Sequence, residues 1–252
     1  MTLRAAFVPE QGIALFLDVD GTLLEIASLP DGVRVPAALR NTLQLASERE
    51  DGALALISGR SIEALDRLFA PSVFPACGLH GFERRDYHGR LSCASIDTSV
   101  LPPIRAALQE WVSRHRGLLL EDKGVALALH YRNAPGLEDL VHEAMHQALE
   151  ALGPGYCLRP GKCALELAPA HGSVRDAIEA FMREPPFAGR TPVFVSDDST
   201  DEDAFEVVNA LSGHSIRVGG QERSVARYRF ASVAGVVAWL RERNTHIMRV
   251  RR

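Results

Sequence analysis

The stretch L-F-L-D-V-D-G-T-L-L, Leu15 to Leu24, decides the fold. The apolar run that opens at Ile13 and closes at Leu17 reads as a short buried strand, and it runs directly into acids. Asp18 and Asp20 are two residues apart and so face the same way on a strand, and Gly21 lets the chain come close to a ligand. In an open α/β sheet, ligands bind at the carboxyl ends of strands. Taken alone, D-V-D reads as readily as a polar turn with solvated aspartates. A calcium-binding loop fits less well, because the glycine falls at the fourth position and a strand precedes it.

Outward from this stretch, strand and helix signals alternate. After Pro36, Leu39, Leu43 and Ala46 recur at helical spacing; Ala53 to Ile57 reads as a second strand, and Ile62, Leu65 and Phe69 line one face of a second helix. This β-α-β-α order predicts an α/β fold with a doubly wound, mostly parallel sheet. The middle of the chain differs. Helical stripes through Ile104, Leu108 and Val112 and through Leu137, Val141, Met145 and Leu149 flank the alternating run V-A-L-A-L-H-Y-R, and R-P-G-K reads as a hairpin turn before C-A-L-E-L. Residues 100–170 are therefore expected to form an inserted α+β module, with 1–99 and 171–252 building a discontinuous core. The α/β pattern then resumes with a helix from Ser173, strands at Thr191 to Val195 and Ser215 to Val218, a helix from about Asp201, and a last helix through Val233, Val236 and Leu240.

Composition narrows the function classes. The chain has 252 residues, 46% of them hydrophobic, and a net charge of -4, so no broad basic field invites nucleic acid or an anionic membrane. The apolar runs are too short to span a bilayer, and no signal-peptide core is evident; a cytoplasmic protein is expected. Cys77, Cys93, Cys157 and Cys163 lack metal-finger or C-x-x-C spacing and read as reduced core thiols. Of 28 basic residues, only Lys123 and Lys162 are lysine.

Two further stretches carry chemistry. In V-F-V-S-D-D-S-T-D-E-D-A-F, Asp197 and Asp198 follow another strand, and Thr200 with Asp203 is expected to cap the next helix. If Asp197 and Asp198 converge with Asp18 and Asp20, the carboxylates need a cation, and hard oxygen donors favour Mg²⁺. In L-I-S-G-R-S, the Ser58 hydroxyl and nearby backbone N–H groups suit a phosphate, although a capping serine is the ordinary reading.

Together, the three strand ends resemble the haloacid dehalogenase-like phosphatases. S-D-D-S-T-D-E-D-A-F, G-L-H-G, E-D-K-G-V-A-L-A-L-H-Y-R and G-K-C-A-L-E-L-A-P are similar to motifs of the trehalose-6-phosphate phosphatases within that superfamily. The resemblance implies Asp18 as nucleophile, Asp20 as acid and then base, and Mg²⁺ held by Asp18, Asp20, Asp197 and Asp198. It implies phosphate contacts from Gly21, Thr22, Ser58, Gly59 and Arg60. The inserted module becomes a cap whose Glu121, Lys123 and Glu166 hydrogen-bond the sugar, with His130 and Arg132 on a polar strand face as further candidates. For Glu121, Lys123 and Glu166, a surface salt bridge between neighbouring strands is the plain alternative. His80 and Gly81 look positional. The implied activity is hydrolysis of trehalose 6-phosphate by a monomer; other sugar phosphatases, of sucrose-phosphate or mannosyl-glycerate type, are the alternative.

One position departs from the pattern. In A-P-A-H-G-S-V-R-D-A-I, the family's lysine falls on Val174. Arg175 follows in the first turn of the expected helix, where the macrodipole opposes a cation by about 0.3 to 1 kcal/mol. It is expected to meet an anion, the substrate phosphate or Asp18, and so to act in the lysine's place. If it does not, a phosphosugar-binding protein with weak turnover is the second reading. Ser196 for the usual glycine is a milder change.

Overall fold

The computed structural model describes residues 12–26, 32–220 and 223–250. The chain divides into two compact units. One is built from the chain up to Ser92 and from Ser173 onward, the other from Cys93–Gly172.

The first unit is an eight-stranded sheet. Its centre is strand β1 (Ile13–Asp18), with β2 (Leu54–Ile57) and β10 (Thr191–Ser196) parallel on either side. Beyond β2 lie β3 (Ala76–Gly78), β4 (Glu83–Arg85) and β5 (Leu91–Cys93); beyond β10 lie β11 (His214–Val218) and β12 (Tyr228–Phe230). Only the β3–β4 register is antiparallel among those resolved here as pairs, so the sheet is mostly parallel as expected. Strand order reverses at β1, between β2 and β10, and this is where open α/β sheets bind ligands.

The alternation along β1 builds both layers. Ile13, Leu15 and Leu17 enter a core with Leu39 and Leu43 of α1 (Ala37–Arg49), Leu65 of α2 (Ile62–Phe69) and Val236 and Trp239 of α7 (Val233–Val250). Ala14 and Phe16 point the other way, into a core with Ile178 and Phe181 of α5 (Val174–Met182) and Phe205 and Val208 of α6 (Glu202–Ala210). Phe16 stacks on Phe187 with ring centres 5.6 Å apart. A strand buried on both faces must be apolar throughout, which is why its first acid, Asp18, also ends it. Strands β3, β4, β5 and β12 have three residues each and carry no readable period, so the sequence does not announce them.

The second unit is a four-stranded antiparallel sheet in the order β6 (Leu119–Asp122), β7 (Leu127–His130), β9 (Ala164–Pro169), β8 (Tyr156–Gly161). Leu127, Leu129, Leu165 and Leu167 pack on Leu101 and Leu108 of α3 (Leu101–Ser113) and Val141 and Met145 of α4 (Glu138–Leu152). Its limits, Cys93 and Gly172, stand outside the expected 100 and 170 because the chain before α3 packs Ile96 and Val100 onto this core.

All four cysteines are free, but the expectation of core thiols needs correction: Cys77 is buried, whereas Cys93 and Cys163 are exposed, on strand β5 and in the β8–β9 turn. Among the described residues, no helix is long and apolar enough to cross a membrane.

Candidate active site

Asp18 closes β1 opposite Ile57 of β2, and it is buried. Its Oδ2 has no hydrogen-bond partner. Burial, and then the charges of Asp197, Asp201 and Asp198, push its pKa well above the ordinary carboxylate value, while the buried Thr22 offsets part of the rise. The turn that follows is tight: the Leu23 and Leu24 amides both donate to the Val19 carbonyl at 3.0 Å, and the Gly21 amide donates to the Leu24 carbonyl at 2.7 Å. Gly21 has φ of 94°, and a Cβ there would overlap the Asp197 carboxylate. Thus glycine is required both for the turn and for the approach of the second acidic stretch.

That second stretch follows β10. Asp198 spends one oxygen on the backbone, with Oδ1 accepting from the Thr200 amide at 2.9 Å. The expected Thr200–Asp203 cap does not form; Asp198 caps the single 3₁₀ turn Ser199–Asp201, and Asp203 accepts from its neighbour Ala204 instead. Asp201 is an acid the sequence reading passed over. It is buried, its Oδ2 accepts from Ser196 Oγ at 2.6 Å, and burial first, then Asp198, push its pKa up to about 8. Its spacing of three from Asp198, one helical turn, was the available signal.

The loop after β2 supplies the cation. Ser58 is buried and its Oγ accepts from the Arg60 amide at 3.1 Å. Gly59 leaves room for His80, whose Nε2 would lie 2.5 Å from a Cβ there; His80 itself has φ of 54°. The Arg60 guanidinium grips Asp20 with both prongs, Nε to Oδ2 at 2.6 Å and Nη2 to Oδ1 at 2.8 Å. This fork is the geometry in which arginine binds carboxylate or phosphate most strongly.

Arg175 is placed otherwise than expected. Ser173 caps α5, its Oγ accepting from the Asp176 amide, and Val174 turns inward onto Ile178 and Phe181. Arg175 is half exposed and pairs with Glu179, one turn along its own helix, at 3.5 Å. With Glu179, Met182 and Leu211 it lines a surface groove. The anion that it meets is Glu179, which answers its unfavourable position in the first turn without recourse to a substrate.

In the second unit, register brings the expected polar residues into rows. Ala128 of β7 stands between Glu121 of β6 and Glu166 of β9. Lys123 Nζ donates to Glu166 Oε2 at 2.6 Å, a pair that is about nine-tenths buried and hence no surface bridge. His130 Nε2 lies 2.8 Å from Glu121 Oε2. Arg132 does not join them: it follows β7 in a turn, and its Nη2 donates to the Lys162 carbonyl at 2.7 Å.

Among the described residues, no three acidic, histidine or cysteine side chains converge tightly enough to enclose a metal by themselves.

The trehalose-phosphatase family model matches residues 16–233. Trehalose-6-phosphate phosphatase of Escherichia coli K12 is 45% identical over 227 residues, 90% of this chain and 85% of that protein. A probable trehalose-phosphate phosphatase of Sinorhizobium fredii is 45% identical over 206 residues, 82% and 77% of the two chains. The C-terminal domain of a Candida albicans trehalose-6-phosphate phosphatase superposes with a TM-score of 0.78 at 21% identity, over 94% of this chain and 93% of that one. BT1666 of Bacteroides thetaiotaomicron, described among phosphatases of the haloalkanoate (HAD) enzyme superfamily, shares this fold with a TM-score of 0.60 at 16% identity, over 95% of this chain and 99% of that one. With most of its length matched by the family model and by relatives at this identity, the chain belongs to the trehalose-phosphatase family.

Proposed function

We propose that this protein hydrolyses trehalose 6-phosphate to trehalose and phosphate through a phosphorylated Asp18, with Mg²⁺. The observation that carries this reading is the Asp18 carboxylate: buried at the tip of the central strand, with Oδ2 unbonded and its neighbours Asp197, Asp198 and Asp201 raising its proton affinity. Carboxylates so crowded fit a hard divalent cation. Asp18 and Asp197 would hold it with the Asp20 carbonyl, and waters would complete the shell, as Mg²⁺ commonly requires. Bound there, Mg²⁺ would offset the charge of nucleophile and phosphate during attack.

The chain's own residues then divide the work. An Asp18 oxygen attacks phosphorus and the bond from phosphorus to the sugar O6 breaks, while the Asp20 carboxyl gives its proton to that oxygen. In the second half, Asp20 takes a proton from water, whose oxygen attacks phosphorus and releases Asp18. The Arg60 fork now closed on Asp20 suits a phosphate equally well. An incoming phosphate that draws Arg60 away frees Asp20 for proton transfer. Ser58, Gly59, Gly21 and Thr22 line the phosphate. The buried Lys123–Glu166 pair and the partly exposed His130–Glu121 pair offer donors and acceptors fixed in place for sugar hydroxyls, and this is our reading of the second unit as a specificity module.

A second reading rests on Val174. Its side chain lies in the apolar core, so α5 brings no cation inward at that position, and a phosphosugar-binding protein of weak turnover would share this geometry. Phosphate release from trehalose 6-phosphate, sucrose 6-phosphate and a mannosyl-glycerate phosphate, with Mg²⁺ or EDTA, separates the readings. We expect Mg²⁺-dependent turnover, fastest on trehalose 6-phosphate. Binding of that sugar phosphate without turnover would replace the enzyme by the sensor.

A further inference from the structure

The short loop that carries Asp197, Asp198 and Asp201 is held by the serine that opens it and by an arginine on the neighbouring strand. Ser196, the last residue of β10, is fully buried, and its Oγ both accepts from the Asp198 amide at 3.0 Å and donates to Asp201. Opposite Ser196 in the β10–β11 register stands Arg217, also buried. Its Nη1 donates to the Asp198 carbonyl at 2.6 Å and lies 3.5 Å from Glu202 Oε1. Glu202 in turn accepts from the Val225 amide at 2.7 Å through its other oxygen. The backbone of Asp198 is therefore gripped at its N–H by Ser196 and at its C=O by Arg217, while its side chain folds back onto Thr200. The residue just before it, Asp197, holds its carboxylate against Gly21.

We propose that Arg217, acting with Ser196, is a positioning residue that sets the affinity of the acidic loop for its divalent cation and orients Asp197 toward it. This rests on the Mg²⁺-dependent reading above. Outer partners of this kind change metal affinity by about 10–100-fold when removed. They do so without touching the reacting atoms, so turnover returns once the metal is in excess.

The test is calorimetric titration of Mg²⁺ into substrate-free protein, paired with the Mg²⁺ dependence of phosphate release, for wild type, Arg217→Met, Arg217→Lys and Ser196→Ala. Arg217→Met is expected to weaken Mg²⁺ binding about 10–100-fold, with kcat recovered at saturating Mg²⁺. Arg217→Lys should regain part of the affinity, and Ser196→Ala should weaken it in the same direction. If Arg217→Met fails the circular-dichroism check for folding, Arg217→Lys and Ser196→Ala carry the test. Wild-type Mg²⁺ affinity in every folded variant overturns the inference while leaving the phosphatase reading intact. A wild type that neither binds Mg²⁺ nor depends on it would sink that reading itself.

Discussion

The two ends of β1 each bury a carboxylate, and they do so in opposite ways. At the start of the strand, the Ile13 amide donates to Glu50, which is 1% exposed. Three arginines surround that glutamate: Arg243 at 3.1 Å, Arg49 at 3.4 Å and Arg190 at 3.7 Å. At the far end, Asp18 is also buried, but its strongest charged neighbours are other acids. A buried charge is tolerated when it is paired, and its partners then tie α1, α7 and the sheet together. A buried charge left among like charges costs stability and is kept where a ligand repays it. Burial alone does not mark a functional residue; residual like charge does.

This contrast can be broken by substitution at either end. The largest expected effect is on turnover. Asp18→Asn should lower kcat for trehalose 6-phosphate by on the order of 10⁴-fold or more, since it removes the nucleophile. Next comes Glu50→Gln, which leaves three arginines facing an uncharged amide. It should cost about 3–5 kcal/mol in denaturant unfolding, as breaking one side of a buried pair does, with kcat of the folded fraction unchanged. Arg60→Gln should reduce kcat/KM by roughly 10–100-fold, the worth of a charged hydrogen bond to phosphate. Its affinity for inorganic phosphate should fall in step.

The acidic end also predicts a pH dependence of defined sign. Asp18 and Asp201 have raised pKa values in the folded protein, Asp201 from 3.8 to about 8. Between these limits the folded, metal-free protein binds more protons than the unfolded chain. The stability that these two carboxyls contribute is therefore fully present near pH 4 and below, and is lost as pH rises through about 8. Melting temperatures in EDTA should fall across that window, and Mg²⁺, which displaces the protons, should flatten the slope. A melting temperature that rises with pH in EDTA contradicts the cluster as described. The smallest effect belongs to Arg175→Ala. An exposed helix pair contributes about 0.2–1 kcal/mol, so both stability and kcat/KM should stay close to wild type, and a large loss of kcat would return Arg175 to the site.

Much of this was legible in the sequence, for reasons visible at particular residues. A central strand buried on both faces has to be an unbroken apolar run, and Ile13 to Leu17 is one. Its acids fall where the run stops. Alternation placed His130 on the face opposite Leu127 and Leu129, and the structure pairs it with Glu121. What escaped was decided by tertiary geometry. Nothing in S-V-R-D distinguishes an arginine aimed at substrate from one closing onto Glu179, because both follow from helical spacing. Ser196 reads as a mild replacement for glycine until its hydroxyl is seen bridging Asp201 and the Asp198 amide. Arg217 lies on another strand altogether, and only the β10–β11 register brings it to the loop. Similarly, Arg132 obeys the strand pattern in sequence, but the strand ends before reaching it.

Unfolding free energy and phosphate release, measured together for Asp18→Asn and Glu50→Gln in metal-free and Mg²⁺-loaded buffer, should cross: Asp18→Asn loses turnover while metal-free stability stays level or rises, because a crowded carboxylate has gone, and Glu50→Gln loses stability while keeping turnover. Asp18→Asn that is destabilised as severely as Glu50→Gln, or that still releases phosphate at the wild-type rate, would contradict this contrast between the two ends of β1.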